Sequence, residues 1–474
     1  MTEPRDIHNI KPEEYDLVVI GSGEGSKFLA WTLARQGQRV AMIERKWIGG
    51  SCPNIACLPS KNIIHSAKVA SYFKRAAEFG INAYGYTVDM AAVTGRKRKM
   101  VKELVDIHVR NYDTSGTELI LGHGHFIGPK LLEVDMPDGN KRYVTGTKIV
   151  IGTGTHATID KIPGLAAAKP LTHIEALELD TLPDHILILG GGYIGLEFAQ
   201  AMRRLGSKVS ILERNATLLH REDPDVSAGI ENLFRDEGIE ILLNATVQKV
   251  SGTSGESVTV TYAENGTSKT IDATHILVAT GRTPNTVGLG LDFAGVAITD
   301  RGYIVVNDKL ETTADGVWAN GEVAGQPQFT HIAFDDFRIL RDNFAGGNRT
   351  TTGRQVPYAL FTDPEVAHIG LSETQAKQQN IAYRLFKIPM AADLRTRTLS
   401  ETRGFMKALV AEDDSILGFT VFGVDGGEIM SAVQIAMLGR LPFTALREAI
   451  LTHPTLMEGL VVLFSSAPVS VPAA

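Results

Sequence analysis

"YDLVVIGSGEGSKFLAWTLARQGQRVAMIER", residues 15–45, opens on an apolar run that ends at Gly21. Gly23 follows, a helix-like segment carries the small Ser26 in its first turn, and a second apolar run stops at the acidic Glu44. The same order recurs in "HILILGGGYIGLEFAQAMRRLGSKVSILER" (185–214), with Gly190, Gly192 and Gly195 and then Glu213. In both copies the acid lies at one spacing from the first glycine, since 44 − 21 and 213 − 190 each equal 23. The first glycine permits a tight strand-to-helix turn, and the second lets backbone approach a pyrophosphate. The helix N-terminus offers N–H donors to that anion, and the acid accepts from a ribose. One Gly-x-Gly can be a mere turn; two in register with strand, helix and acid predict two Rossmann-like dinucleotide-binding units in an α/β fold.

The chain has 474 residues, too many for one ordinary core. A net charge of −7 with mixed signs argues against nucleic acid as partner. The basic run "GRKRK" (95–99) falls in a helix-like segment, 90–112, and reads as its solvated face. No run of 18 apolar residues occurs, and the polar N-terminus lacks the apolar middle of a secretory signal, so the expectation is no membrane and a cytoplasmic site. The C-terminal "SSAPVSVPAA" is expected to fray.

Only two cysteines occur, Cys52 and Cys57, in "GGSCPNIACLPSK" (49–61). A pair with nothing else to bond in reducing cytosol is expected to be catalytic, against the plainer alternative of two small buried hydrophobes. A dithiol and a disulfide differ by two electrons, a nicotinamide delivers two as hydride, and a flavin can mediate. A thiolate at the start of a helix is stabilised for exchange.

This motif resembles the redox motif of the FAD-dependent pyridine nucleotide–disulfide oxidoreductases, and the resemblance runs from Tyr15 to about Phe464. It implies FAD on the first unit and NADH or NADPH on the second. It makes Cys57 the flavin-proximal sulfur and Cys52 the one that meets substrate, and places Lys61 by the flavin ring, paired with Glu197. Tyr193 takes the position that gates the nicotinamide pocket in some relatives. "GHGHF" (122–126), with Gly124, resembles the segment whose backbone meets the adenine. "IGTGT" (151–155), with Thr153 and Gly154, and "VATGRTPN" (278–285), with Gly281 and Arg282, resemble the crossings between domains. "TTADGVWANGEVAG" (312–325) resembles the second FAD fingerprint around Gly321, but Glu322 replaces the family's ribityl-binding Asp. Ala56 is a second departure, standing where glycine is usual.

"LTHPTLMEGL" (451–460) resembles the His-Pro-Thr-x-x-Glu signature of disulfide reductases. A histidine titrating near neutrality suits proton transfer to and from sulfur, with Glu458 fixing the ring of His453. The resemblance places His453 in the partner subunit's site, hence a homodimer. "ERNATLLHREDPDV", "QPQFTHIA" and "ETRGFMK" look most like mercuric reductases, and "HREDPDV" and "FDDFRI" like the copper-reducing flavoprotein of reactive-chlorine resistance. Yet mercuric reductases have a tyrosine where His453 stands and a C-terminal cysteine pair, which this sequence lacks. Beside the dyad, Leu451 and Met457 depart from dihydrolipoamide dehydrogenase. The expected activity is NAD(P)H-dependent reduction of a small disulfide or thiol-reactive oxidant. The alternatives are Hg(II) or Cu(II) reduction, dihydrolipoamide dehydrogenase, or a non-enzymatic redox sensor; no resident metal is expected. Glu213 favours NADH, whereas Arg214 and Arg221 lie where relatives hold a 2′-phosphate. The expected domains are FAD-binding 1–155, nicotinamide-binding 156–275, a central FAD segment 276–345 and an α+β dimerisation domain 346–474.

Overall fold

The computed structural model describes residues 10–473. The chain divides into two compact units: the first runs to Asn62 and takes in Ala92–Thr158 and Gly281–Arg354, and the second comprises Ile63–Ala91, Ile159–Thr280 and the chain from Gln355 onward.

In the first unit the elements are β1 (Glu13–Ile20), α1 (Glu24–Arg35), β2 (Val40–Glu44), α2 (Ser51–Asn54), α3 (Cys57–Lys74, which begins here), α4 (Met90–Ser115), β3 (Glu118–Leu121), β4 (His123–Gly128), β5 (Leu131–Asp135) and β6 (Lys141–Ile151). They form one sheet in the order β3-β2-β1-β6-β5-β4, with strand Val317–Ala319 added beside β6. β3, β2, β1 and β6 run parallel, whereas β6, β5 and β4 form an antiparallel meander. Both faces of β1 are covered, which is why it reads as an unbroken apolar run. Leu17 and Val19 pack with Leu29, Leu33 and Phe337, and Val18 and Ile20 pack with Ile43, Phe126 and Leu132.

Parallel strands need a crossover, and α1 supplies it after a turn at Gly21. There φ is +93°, and a Cβ would lie 2.5 Å from the Gly152 carbonyl oxygen, so only glycine fits. The basic run 95–99 lies on α4, but it is not wholly a solvated face: Lys97 is buried, turned inward by the helical period.

The second unit holds a second parallel sheet, ordered Glu240–Leu242, Lys208–Leu212, His185–Leu189, His275–Val278, and a three-stranded antiparallel sheet over Ala245–Ala273. A six-stranded antiparallel sheet runs from Tyr358–Leu360 to Val469–Val471. The C-terminal segment therefore does not simply fray. Val469–Val471 pairs with Tyr383–Pro389 as an edge strand, too short for its alternation to stand out in sequence. Within this sheet, Tyr358–Leu360 and Glu365–Gly370 pair antiparallel.

A buried charge cluster joins this sheet to the helix Pro224–Asp236. The Lys407 ammonium, 0% exposed, donates to Asp223, Asp225 and Glu373, each at 2.8 Å. Asp223 also accepts from the backbone of Glu373 and from both backbone and hydroxyl of Thr374. Burial alone would push the Asp223 carboxyl up; Lys407 and Thr374 outweigh it and hold the group well below the usual carboxylate range.

Candidate active site: a dithiol seated on a nucleotide turn

The N-cap of α1, Gly23, brings no side-chain cap, so the first-turn N–H groups face outward for an anion. At the end of β2, Glu44 accepts from Ser22 N at 2.9 Å and Ser22 Oγ at 2.7 Å through one oxygen, and from Lys46 N and Trp47 N through the other. Ser22 Oγ in turn accepts from Gly49 N at 2.9 Å. Lys27, 3% exposed, donates to Gly49 O at 3.2 Å and His108 Nε2 at 2.8 Å and pairs with Glu24 at 2.7 Å. His108 Nδ1 then donates to Leu104 O, which fixes the tautomer. A Cβ on Gly50 would come within 2.6 Å of Gly23 Cα. The cysteine segment is thus bolted directly onto the nucleotide turn. Ser22, Lys27 and His108 carry these bonds and were invisible to motif reading, because no fingerprint includes them.

Cys52 lies in α2, and Cys57 opens α3. Both are half-buried thiols with no disulfide between them. Thr330, at the start of the helix Thr330–Phe344, brings its hydroxyl within 3.2 Å of Cys57 Sγ. The Cys52 thiol is pushed up by its hydrogen bond to Cys57, by burial and by charge on Cys57, while Thr330 pulls it down. Thr330 lies 273 residues from Cys57 in sequence, inside "QPQFTHIA", and nothing local marked it. Lys61 lies one helical turn beyond Cys57.

Gly124 lies on β4, its Cβ position 3.0 Å from Ile43. Thr153 Oγ1 donates to Asn285 O, and Asn285 Nδ2 donates back to Thr153 O. The short strands Thr155–Ala157 and Arg282–Pro284 pair antiparallel, and Gly281 O accepts from Thr158 N. Gly321, at φ +66°, donates its N–H to buried Asp336, which Arg354 also holds. Glu322 is engaged by Thr155 Oγ1 and, at 3.3 Å, by Arg282 Nε. The longer side chain thus reaches Arg282 and Thr155. Ser26 Oγ donates to Asn320 Oδ1, whereas Asn320 Nδ2 is buried without a partner among the described residues. An uncapped glycine turn, a strand-end carboxylate and this orphan donor fit an FAD.

In the second unit Gly190 (φ +104°) places its Cβ position 2.6 Å from Ala279 O, and Gly195 approaches Gly190 O. The helix Tyr193–Leu205 is again uncapped at Gly192. Glu213, buried, accepts from Gly191 N at 2.7 Å and from Asn215; Arg214 and Arg221 are exposed. Tyr193 donates to Glu222 at 2.5 Å and stacks on Tyr358, which donates to the same carboxylate. Glu197 accepts from Phe361 N at 3.0 Å. His453 Nδ1 bonds Glu458 Oε2 at 2.8 Å, and the imidazole is 61% exposed.

The sequence matches the pyridine nucleotide-disulphide oxidoreductase family over residues 15–336 and the dimerisation domain of that family over 356–463. The chain belongs to this family. It is therefore an enzyme of the flavoprotein disulfide oxidoreductases, a family that uses FAD with NAD(P)H, and its dimerisation domain supports a homodimer. It is 38% identical over 459 residues to the probable pyridine nucleotide-disulfide oxidoreductase RclA of Escherichia coli, covering 95% of this chain and 99% of that one. It is 34% identical to a mercuric reductase of Streptomyces lividans, with 94% of each chain covered. The fold superposes with TM-score 0.87 on the Cu(II) complex of the HOCl-induced flavoprotein disulfide reductase RclA of E. coli, at 37% identity and with 96% and 99% of the chains covered. No helix among the described residues is long and apolar enough to cross a membrane.

Proposed function

We propose that the protein passes two electrons from a nicotinamide to the Cys52–Cys57 disulfide and on to a small disulfide or thiol-reactive oxidant. The observation that carries this is the thiol pair of Cys52 in α2 and Cys57 at the head of α3, with Cys57 hydrogen-bonded to Thr330 and the segment bolted to the nucleotide turn. Gly21, Gly23, Ser26, Glu44, Gly124, Thr153, Gly154, Gly281, Arg282, Gly321 and Glu322 would hold FAD. Bound FAD supplies the two-electron relay between nicotinamide and disulfide.

Lys61, one helical turn beyond Cys57 on α3, would keep a positive charge near that sulfur. Cys52, giving its proton to His453 of the second subunit, attacks an acceptor disulfide, forming a mixed disulfide and expelling one thiolate, which takes that proton back from the imidazole. Cys57, passing its own proton to the same imidazole, then attacks Cys52 Sγ; the second thiolate leaves, takes that proton to become a thiol, and the Cys52–Cys57 disulfide is restored. Glu458 holds the imidazole so that one ring nitrogen is free to carry the proton.

On this reading 1–155 and 276–345 hold FAD, 156–275 binds the nicotinamide, with Tyr193 over its pocket, and 346–474 dimerises. NADH is the donor, because the buried Glu213 carboxylate would repel a 2′-phosphate, while Arg214 and Arg221 are exposed to solvent. A metal ion is the second acceptor reading, favoured by the likeness to RclA, which has been solved as a Cu(II) complex.

Turnover of the purified flavoprotein with NADH and NADPH against lipoamide, glutathione disulfide, Hg(II) and Cu(II) tests this. Disulfide turnover should vanish in Cys57→Ser and in Cys52→Ser. Undiminished turnover in either variant would refute the thiol route.

A further inference from the structure

We propose that the outward face of the β4–β5 hairpin is a binding site for a borderline divalent cation, of the Zn(II) or Cu(II) kind, separate from the dithiol. On β4, His123 and His125 alternate with the buried Gly124 and Phe126, so both imidazoles project from one face. Register places His123 opposite Asp135 and His125 opposite Glu133. His125 Nε2 lies 3.6 Å from Glu133 Oε1, and Nδ1 lies 3.7 Å from Asp135 Oδ2. One donor atom from each of His125, Glu133 and Asp135 fits within a cluster 4.8 Å across. The His123 ring stacks 6.0 Å from that of His125, which puts a second imidazole beside the set.

The burial gradient supports a cation here. Glu133 is 1% exposed, His125 22% and Asp135 45%, so the site has a dry floor and an open mouth. A carboxylate as buried as Glu133 requires a positive partner. Lys141 now supplies it: the ammonium bonds Glu133 and lies 3.3 Å from Asp135. But Lys141 is 40% exposed and reaches in on a flexible stem, so its head can withdraw to solvent when a divalent ion takes its place. One or two imidazole nitrogens with two carboxylate oxygens suit Zn(II), Cu(II) or Ni(II) better than Ca(II) or Mg(II). A cation here would staple an edge strand, β4, to its neighbour β5.

The ion competes with a charge already in place, and the test turns on that competition. Chelator-washed, oxidised holoenzyme, whose cysteines are then tied up in the disulfide, is titrated with Zn(II) by calorimetry. One ion per chain is expected at this site. His125→Ala and Asp135→Asn should each weaken binding at least tenfold with unchanged melting of the metal-free protein. Lys141→Met, which keeps the stem and removes the competing charge, should tighten binding at least threefold. Affinity unchanged in both His125→Ala and Asp135→Asn, or no tighter in Lys141→Met, would overturn the proposal.

Discussion

Replacing Thr330 by valine removes one hydroxyl and little volume, and it addresses the dithiol directly. In the folded protein that hydroxyl is 3.2 Å from Cys57 Sγ. A hydrogen bond to a charged group contributes about 1.5–3 kcal/mol. At about 1.4 kcal/mol per factor of ten, losing it should cut the reactive thiolate population roughly 10- to 150-fold. The readout is the rate at which the reduced holoenzyme reacts with iodoacetamide at neutral pH, with the labelled cysteine located by peptide mass spectrometry. Thr330→Val should slow alkylation by that factor and lower kcat with it, while Thr330→Ser, which keeps the hydroxyl, should stay within a fewfold of wild type. If valine and serine variants react at the same rate, the hydroxyl does not stabilise the thiolate, and Thr330 is only a packing residue.

Glu213→Ala should raise KM for NADH more than for NADPH, since it removes a ribose acceptor and a repulsion against phosphate; equal changes would place Glu213 away from the ribose. Cys57→Ser and His453→Ala homodimers should each be inactive, yet mixing with subunit exchange should restore roughly a quarter of wild-type turnover. Half the dimers are then mixed, with one intact site of two, if each site draws on both chains. Lys407→Met leaves Asp223 charged and buried, at a cost of about 3–5 kcal/mol. At about 2–4 °C per kcal/mol, Tm at pH 7 should fall by roughly 6–20 °C. Asp223 is depressed in the folded state, so its contribution is present above the unfolded carboxylate range and lost as pH falls through the folded value. The gap between Lys407→Met and wild type should therefore narrow toward acid, and a pH-independent gap would refute the charge argument.

The nucleotide turns were legible because local chemistry dictates them. Gly21 and Gly190 occupy backbone conformations that a Cβ would not survive, and Glu44 and Glu213 end strands whose apolar runs are plain in sequence. The His453–Glu458 bond was legible because its partners are only five positions apart. Contacts made across the fold were not. Thr330, Lys27 and His108 reach the cysteine segment from other elements, and Lys407 meets carboxylates more than 180 residues away at Asp223 and Asp225. Glu322 could be seen as a departure, but its new partners, Thr155 and Arg282, come from separate strands. The strand Val469–Val471 was missed for the same reason: three residues hold too little pattern, and the partner strand supplies the rest.

That the first unit is assembled from three separated stretches has a consequence during synthesis. Strand Val317–Ala319 joins β6 by pairing Val317 with Ile149, 317 − 149 = 168 residues earlier. Translation at about 5–20 residues per second puts roughly 8–34 s between the two. Throughout that delay the nascent dithiol has neither Thr330 beside it nor the helix that carries Thr330. Prolonged exposure of thiols ordinarily invites scrambled pairing, with more wrong partners as cysteines accumulate. Here Cys52 and Cys57 are the only cysteines in the chain, so within one polypeptide the sole disulfide that can form while the ribosome finishes is the one between them.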